Sequence, residues 1–561
     1  MFRFLIFFIP LISLISFAQN PLTIPPALTG ASFNLMLQEG TSEFYTGTTT
    51  NTMGANGSLL GPTLILNKGD EISISVTNQL QEETTIHWHG MHVSPENDGG
   101  PHTGINPGET WNPQFTVMDR AGLNWYHPHL HMHTNKHVSR GIAGLIIVKD
   151  SEEEALELPR TYGVDDFPLI FQTKGFDVNG QIEWMSHLDT SFMTNGTVNA
   201  IVDVPAQVVR FRLLNGSAQR VFLFGISGNI PFQLIGTDGG LLENPVELTR
   251  YQIAPGQRAD ILVDLAAFLN QSIQFVNYGS ELGTGIYGSS QPGMMSQLTS
   301  NLVGYTANQL NGSDFNMLDL NVISPTVNAI TSIPSTLVSH TIPVDGTQDA
   351  NRSLTFTSQQ NIVGPFLING SGFDMNVINY TIPLGNREVW TLTNQSPIAH
   401  PFHIHDIQFY ILDINGVPPP PELSGLNDVV LVPSGMGTVR FITEFTDFAN
   451  DSVPYMYHCH MLTHEDEGMM GQFVVSDPSS DLIKLSNSHF QIFPNPAEYE
   501  ITIVSNQQSL NGNISISDSF GRIVYDKEIN TINSMTLDVS SLNSGIYFVK
   551  IKNSIAPLVV Q

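Results

Sequence analysis

The sequence predicts an all-β protein of several sandwich or barrel domains, and three observations carry that prediction. Turn formers are abundant, with 47 Gly and 34 Pro in 561 residues. Between them lie short runs of Val, Ile, Thr and Phe alternating with polar residues, as in Ile72-Ser73-Ile74-Ser75-Val76 and residues 208–214, the pattern of a half-buried strand. One block recurs three times along the chain, which implies three copies of one β-domain. At roughly 150 residues per domain, the length leaves room for a fourth unit.

Composition excludes several classes. Hydrophobic residues make up 41%, which is ordinary for a globular protein, and beyond the N-terminus no apolar run is long enough to cross a bilayer. Charged residues are only 13%, with 21 Lys+Arg against 51 Asp+Glu for a net charge of −30. So acidic a surface repels phosphate backbones, and no nucleic-acid partner is expected. The single cysteine excludes an intrachain disulfide framework.

Taken in order, the chain opens with Arg3, an apolar stretch over residues 4–15 and the small-residue site Ser16-Phe17-Ala18. That is the layout of a cleaved export signal over residues 1–18. An exported chain must bury its lone thiol or use it as a ligand, because an exposed one oxidises. In the repeat, strand-like segments end in Val76-Thr77-Asn78, Leu213-Leu214-Asn215 and Leu392-Thr393-Asn394. A Pro and Gly turn follows each, in Asn106-Pro107-Gly108, Ala254-Pro255-Gly256 and Val432-Pro433-Ser434-Gly435. Nine residues past the asparagine stand His87 in the first copy and His403 in the third, whereas the second has Phe224. The copies are placed at residues 19–150, 160–325 and 350–477. A helical patch over residues 152–158 joins the first two, and the Pro/Ser/Thr-rich stretch at 323–351 joins the last two. The fourth unit, residues 489–561, has its own strand alternation in Ile514-Ser515-Ile516 and Tyr547-Phe548-Val549-Lys550-Ile551, with no concentration of His or Met. A non-chemical role is expected for it.

Most of the 18 His fall in four clusters, each holding a His-x-His: His87-Trp88-His89, His127-Pro128-His129, His403-Ile404-His405 and His458-Cys459-His460. On a strand, residues i and i+2 share a face, so each pair presents two imidazoles side by side. One such pair is a weak signal, met as a chance surface pair or a single-metal site. Four of them, two in each outer copy, bring eight imidazoles to one domain interface if those faces pack together. Eight neutral imidazoles suit copper better than magnesium or calcium and exceed what one tetrahedral zinc can use, so several metal ions are implied. Cys459 lies inside the fourth pair, with His464 five residues on, Met469 ten residues on and His400 beside the third pair. Two His, one Cys thiolate and a weak axial Met make a blue-copper electron-transfer site. A lone buried cysteine is ordinarily a small hydrophobe, but here every other ligand stands at usable spacing. His131, His133 and His137 extend the second cluster and read as a polar loop in preference to an accessory copper site; His92 and His102 receive no role.

The motifs His87-Trp88-His89-Gly90, Trp125-Tyr126-His127-Pro128-His129, His400-Pro401-Phe402-His403-Ile404-His405 and His458-Cys459-His460-Met461-Leu462-Thr463-His464 together resemble those of three-domain multicopper oxidases of the bacterial laccase and copper-efflux-oxidase type. The resemblance implies cupredoxin-like Greek-key β-sandwich domains, a small C-terminal β-sandwich apart, and four copper ions. It implies a type 1 copper on His400, Cys459, His464 and Met469, and a type 2 copper on His87 and His403. A binuclear type 3 pair would be held by His89, His127, His129, His405, His458 and His460, with no copper ligand in the second copy. The implied activity is one-electron oxidation of a donor, entering at His464 and Cys459, coupled to reduction of dioxygen to water. Asp98 and Glu465 occupy positions resembling the family's proton-delivery acids, and carboxylates are natural proton carriers.

Relatives specialised for cuprous ion carry a methionine-rich segment before the third domain and a Met/Asp pair just upstream of the third motif. This chain has only Met294, Met295 and Met317 in that stretch, and Ser396-Pro397-Ile398-Ala399 precede His400. Phenols and aromatic amines are therefore the expected donors. The alternative is a metallo-oxidase of Cu(I), Fe(II) or Mn(II), and a second alternative is a non-catalytic copper-binding or electron-transfer protein. In the tail, Phe493-Pro494-Asn495-Pro496-Ala497 and Ser544-Gly545-Ile546-Tyr547-Phe548-Val549-Lys550 resemble the C-terminal sorting domain of the bacterial type IX secretion system. That resemblance implies engagement of the secretion machinery and a secreted or cell-surface destination.

Overall fold

The computed structural model describes residues 19–477 except 360, and 490–561 except 506–509, 520 and 553. The expected export signal, residues 1–18, lies outside them. Residues up to Val475 form one compact unit and residues from Ser476 a second.

The first unit holds three β-sandwiches. In the first, one sheet runs Ala27–Thr29, Thr63–Asn67, Gly144–Lys149, Gly122–His127, His87–His89, and the other carries Thr48–Ala55, Ser32–Tyr45, Glu71–Asn78 and Thr110–Trp111. Phe33, Leu35, Leu64, Ile74, Trp88 and Ile146 fill the space between them. Two six-stranded sheets make the second sandwich and a six- and a five-stranded sheet the third. Each has its own apolar core.

The repeated asparagine has a physical reason. Asn78, Asn215 and Asn394 each close a strand that pairs in parallel with the first long strand of its copy, in register with Leu37, Phe171 and Phe356. Each is buried, and each side chain accepts from the backbone N–H two residues on, at Leu80, Ser217 and Ser396. Each amide also donates to two carbonyls, one of them Ile105, Ile253 or Val432 at the foot of the Pro and Gly turn. One side chain thus ties the strand end to the later turn, so the two signals recur together.

Two local readings change. The helical patch at 152–158 shrinks to Ser151–Glu154, capped by Asp150, whose carboxylate accepts from Glu153 N at 2.8 Å. Pro159 disfavours helix at the residue before it, and Glu153 turns inward to Arg210 at 2.5 Å. A helix the polar-loop reading missed, Thr134–Arg140, follows the second histidine pair. Its first two N–H groups, on Thr134 and Asn135, both donate to the Asp466 carboxylate at 3.0 Å, a cap that lies far away in sequence. Residues 324–349 carry neither helix nor strand. The second unit is itself a sandwich of a three- and a four-stranded sheet around Ile501, Ile503, Ile514, Ile516, Val549 and Leu558. Among the described residues no helix is long and apolar enough to cross a membrane.

Candidate metal centre

Strand pairing brings the histidines together. His87–His89 lies antiparallel to Gly122–His127 with His87 opposite His127. In the third copy His400–Ile404 lies antiparallel to Tyr455–Cys459 with His403 opposite His458. The two pairs of strands face each other, so that His87 stacks on His405 with centroids 3.8 Å apart and His89 on His403 at 3.7 Å. All eight rings are buried.

Their nitrogens sort into groups that could each hold a metal ion: His89, His127 and His460; His129, His405 and His458; and His87 with His403, close to His89. His89 Nδ1 lies 3.2 Å from His460 Nε2 and 3.4 Å from His127 Nε2. His129 Nε2 and His458 Nε2 are 3.1 Å apart. The outward nitrogens are held by oxygens: His403 Nδ1 by the Asp428 carbonyl at 2.9 Å, His405 Nδ1 by Asp98 Oδ2 at 2.8 Å, and His87 Nδ1 by the Asp98 carbonyl at 2.9 Å. The inward Nε2 atoms of His87, His403 and His405 are buried with no hydrogen-bond partner among the described residues.

A fourth group stands in the third copy. Cys459 Sγ lies 3.4 Å from His400 Nδ1 and 3.6 Å from His464 Nδ1. Ser396 Oγ sits 2.7 Å from His400 Nε2 and so leaves Nδ1 to face the sulfur. Met469 is buried beside them, its N–H donating to the His464 carbonyl and its carbonyl accepting from Cys459 N–H.

The donor set fits copper. Burial drives His89, His127, His400, His403 and His405 well below the ordinary imidazole value, and takes His129 to about 4 and His460 and His464 to about 3. Neutral imidazoles with unpaired inward lone pairs are metal ligands. Burial also pushes the Cys459 thiol up, so a thiolate there needs a cation against it.

Of the two expected acids, Asp98 is buried with its carboxylate 2.8 Å from His405 Nδ1 and 3.3 Å from His87 Nδ1. Glu465 lies 3.5 Å from His129 Nδ1 and 3.2 Å from His458 Nδ1. Four further histidines among the described residues are engaged elsewhere. His137 sits between Thr84 Oγ1 and Glu82 Oε1, His131 packs on Phe373, His102 meets Gln472, and His92 bridges Asp406 and Asp447. Sequence reasoning missed Ser396, Asp428 and Arg258. The last two signal themselves only as charged residues at the head of strand segments, before Val429-Val430-Leu431-Val432 and before Ala259-Asp260-Ile261-Leu262-Val263.

Paired sandwiches meeting at clustered imidazoles, beside a Cys-His-His set, define a copper-dependent oxidoreductase. Residues 36–153, 149–277 and 343–479 match multicopper oxidase families, and residues 491–560 match the secretion system C-terminal sorting domain. A multicopper oxidase of Staphylococcus haemolyticus is 33% identical over 460 residues, covering 80% of this chain and 89% of the relative. The cell division protein FtsP of Photorhabdus laumondii is 30% identical over 466 residues, covering 81% and 92%. The solved laccase-like multicopper oxidase CueO of an Ochrobactrum species, described as active towards lignin model compounds, superposes with a TM-score of 0.71 at 32% identity, covering 81% of this chain and all of that one. The chain belongs to the multicopper oxidases, and its three large sandwiches are cupredoxin-like.

Proposed function

We propose that this oxidoreductase couples one-electron oxidation of small phenolic or aromatic donors to the four-electron reduction of dioxygen to water. Four copper ions serve it. One would be held by His400, Cys459, His464 and Met469, one by His87 and His403, and a pair by His89, His127 and His460 and by His129, His405 and His458. The observation that carries this reading is the convergence of eight buried imidazoles between the first and third copies, one residue from the Cys-His-His set. Copper bound there supplies one-electron redox chemistry and a Lewis-acidic seat for dioxygen.

This chain's residues supply the rest. His464 lines a cavity of about 120 Å³ together with Met185, His187, Tyr287, Ile398 and Glu467, and a small donor docks there. Peptide bonds join Cys459 to His458 and His460, so a covalent route links the donor side to the histidine cluster. Asp98 and Glu465, each against two ring nitrogens, are the carboxylates that relay the protons water formation consumes. Met185 and Glu467 on the same cavity favour a second reading, in which the donor is a soft metal ion.

The domain division at 19–150, 160–325, 350–477 and 489–561 belongs to the same reading, as do the export signal and a type IX sorting role for the tail. Deleting residues 489–561 then leaves active enzyme in the periplasm; inactive protein would contradict a purely addressing tail. Oxygen uptake by the copper-loaded protein, measured with a panel of phenols and metal ions, tests the activity. Uptake with phenols supports the first reading, and uptake with metal ions alone supports the second. No uptake despite a blue absorption band would instead make the chain a copper-binding protein without oxidase turnover.

A further inference from the structure

Resting on the copper reading of the histidine triplets, we propose that Arg258 of the middle copy is a positioning residue that sets the donor atom of His89 through Asp428. Arg258 and Asp428 are both buried, and they meet in a two-pronged pair: Arg258 Nη1 donates to Asp428 Oδ1 at 2.6 Å and Nη2 to Oδ2 at 2.5 Å. Arg258 Nε donates to the Leu123 carbonyl at 2.9 Å and Nη2 to Asn124 Oδ1 at 3.1 Å, so one guanidinium touches all three copies. Asp238, also of the middle copy, accepts from the N–H groups of Arg258, Asp428 and Val429. Asp428 is therefore gripped at both its carboxylate and its backbone.

What Asp428 holds is the cluster. Its Oδ1 lies 3.2 Å from His89 Nε2, and its carbonyl lies 2.9 Å from His403 Nδ1. His89 turns Nδ1, not Nε2, towards His127 and His460. A neutral imidazole has one N–H, so a lone pair on Nδ1 requires the proton on Nε2, where the carboxylate accepts it. The fork geometry of Arg258 fixes that carboxylate. The middle copy also closes on the same triplet at Gly256, where a Cβ would stand 2.8 Å from His460 Cδ2. The other triplet is braced differently, by Asp98 on His405 and Glu465 on His458.

The effect is therefore selective. The double variant Arg258→Met/Asp428→Asn removes both charges of the pair, while Asp238, 3.5 Å from Arg258 Nη1, keeps its three backbone N–H donors. Loaded with copper, it is expected to keep the blue absorption of the Cys459 site while copper at the His89 triplet binds about 10- to 100-fold more weakly. A titration of bound copper then falls short of the wild type by one ion per chain. The partner ion of the pair, no longer spin-coupled, adds a new signal to the electron paramagnetic resonance spectrum. Arg258→Lys, which keeps the charge but cannot grip both oxygens, should show the same change more weakly and provides the test should the double variant not fold. Blue variants with the wild-type copper count and spin count would overturn the role of Arg258. A wild-type chain that takes up no copper at the histidine cluster would overturn the underlying copper reading, and is seen before any variant is made.

Discussion

The outer copies and the middle copy share a sandwich and a buried asparagine corner, yet differ at one equivalent strand. Nine residues past the corner the outer copies place His87 and His403, opposite His127 and His458 across the strand pair. The middle copy places Phe224 there, opposite Asn277, and packs it against Phe232 and Tyr251 at 5.3 and 5.8 Å. The same strand position thus carries clustered imidazoles where two copies face each other and apolar packing where it faces its own copy's core. The middle copy contributes instead through Arg258, Asp238 and Gly256, which close on the cluster from outside.

The largest expected effect comes from removing the thiol that only the third copy carries. Cys459→Ser should abolish both the blue absorption and donor oxidation; retained oxidation would break the assignment of roles between copies. Next, Asp98→Asn keeps the shape of the bridge between His87 and His405 but cannot pass a proton. The turnover number should fall about 10²- to 10⁴-fold with the donor KM unchanged, read in steady-state kinetics.

Phe224→His restores a histidine to the middle copy. It should add no copper, because the position is enclosed in an apolar core, and should cost about 1–3 kcal/mol in chemical denaturation through the buried polar ring. Extra bound copper would erase the distinction between copies.

An effect of pH alone concerns Lys174 of the middle copy, which donates to the Ser139 carbonyl of the first at 2.6 Å. Burial lowers its pKa to about 7, against about 10.4 in an unfolded chain. Between those values the unfolded chain binds more protons than the native one, so stability should rise with pH from about 7 to about 10. The slope is at most about 1.4 kcal/mol per unit, with the burial penalty present in full below 7. Lys174→Met should flatten that slope in denaturation curves taken across this range.

Much of this was legible in the sequence because it is local. The Asn corner and the Pro and Gly turn are short-range geometry, and His-x-His declares a shared face wherever strands run. What was not legible depends on pairs brought together by packing. Asp98 meets His405 across 307 positions and Arg258 meets Asp428 across 170, and nothing near either residue announces the other. The helix Thr134–Arg140 was hidden for the same reason, since its cap, Asp466, lies in the third copy. The patch at 152–158 failed in the opposite direction, because a favourable local composition yielded to Pro159 and to the buried pairing of Glu153.

The central claim is that histidines of the outer copies form one centre that reduces dioxygen fully to water. The most direct test is to count donor electrons consumed per dioxygen taken up by the copper-loaded chain while assaying for hydrogen peroxide. The expected result is four electrons per dioxygen with no peroxide. Two electrons per dioxygen with accumulating peroxide, or no uptake by a protein that is visibly blue, would contradict it.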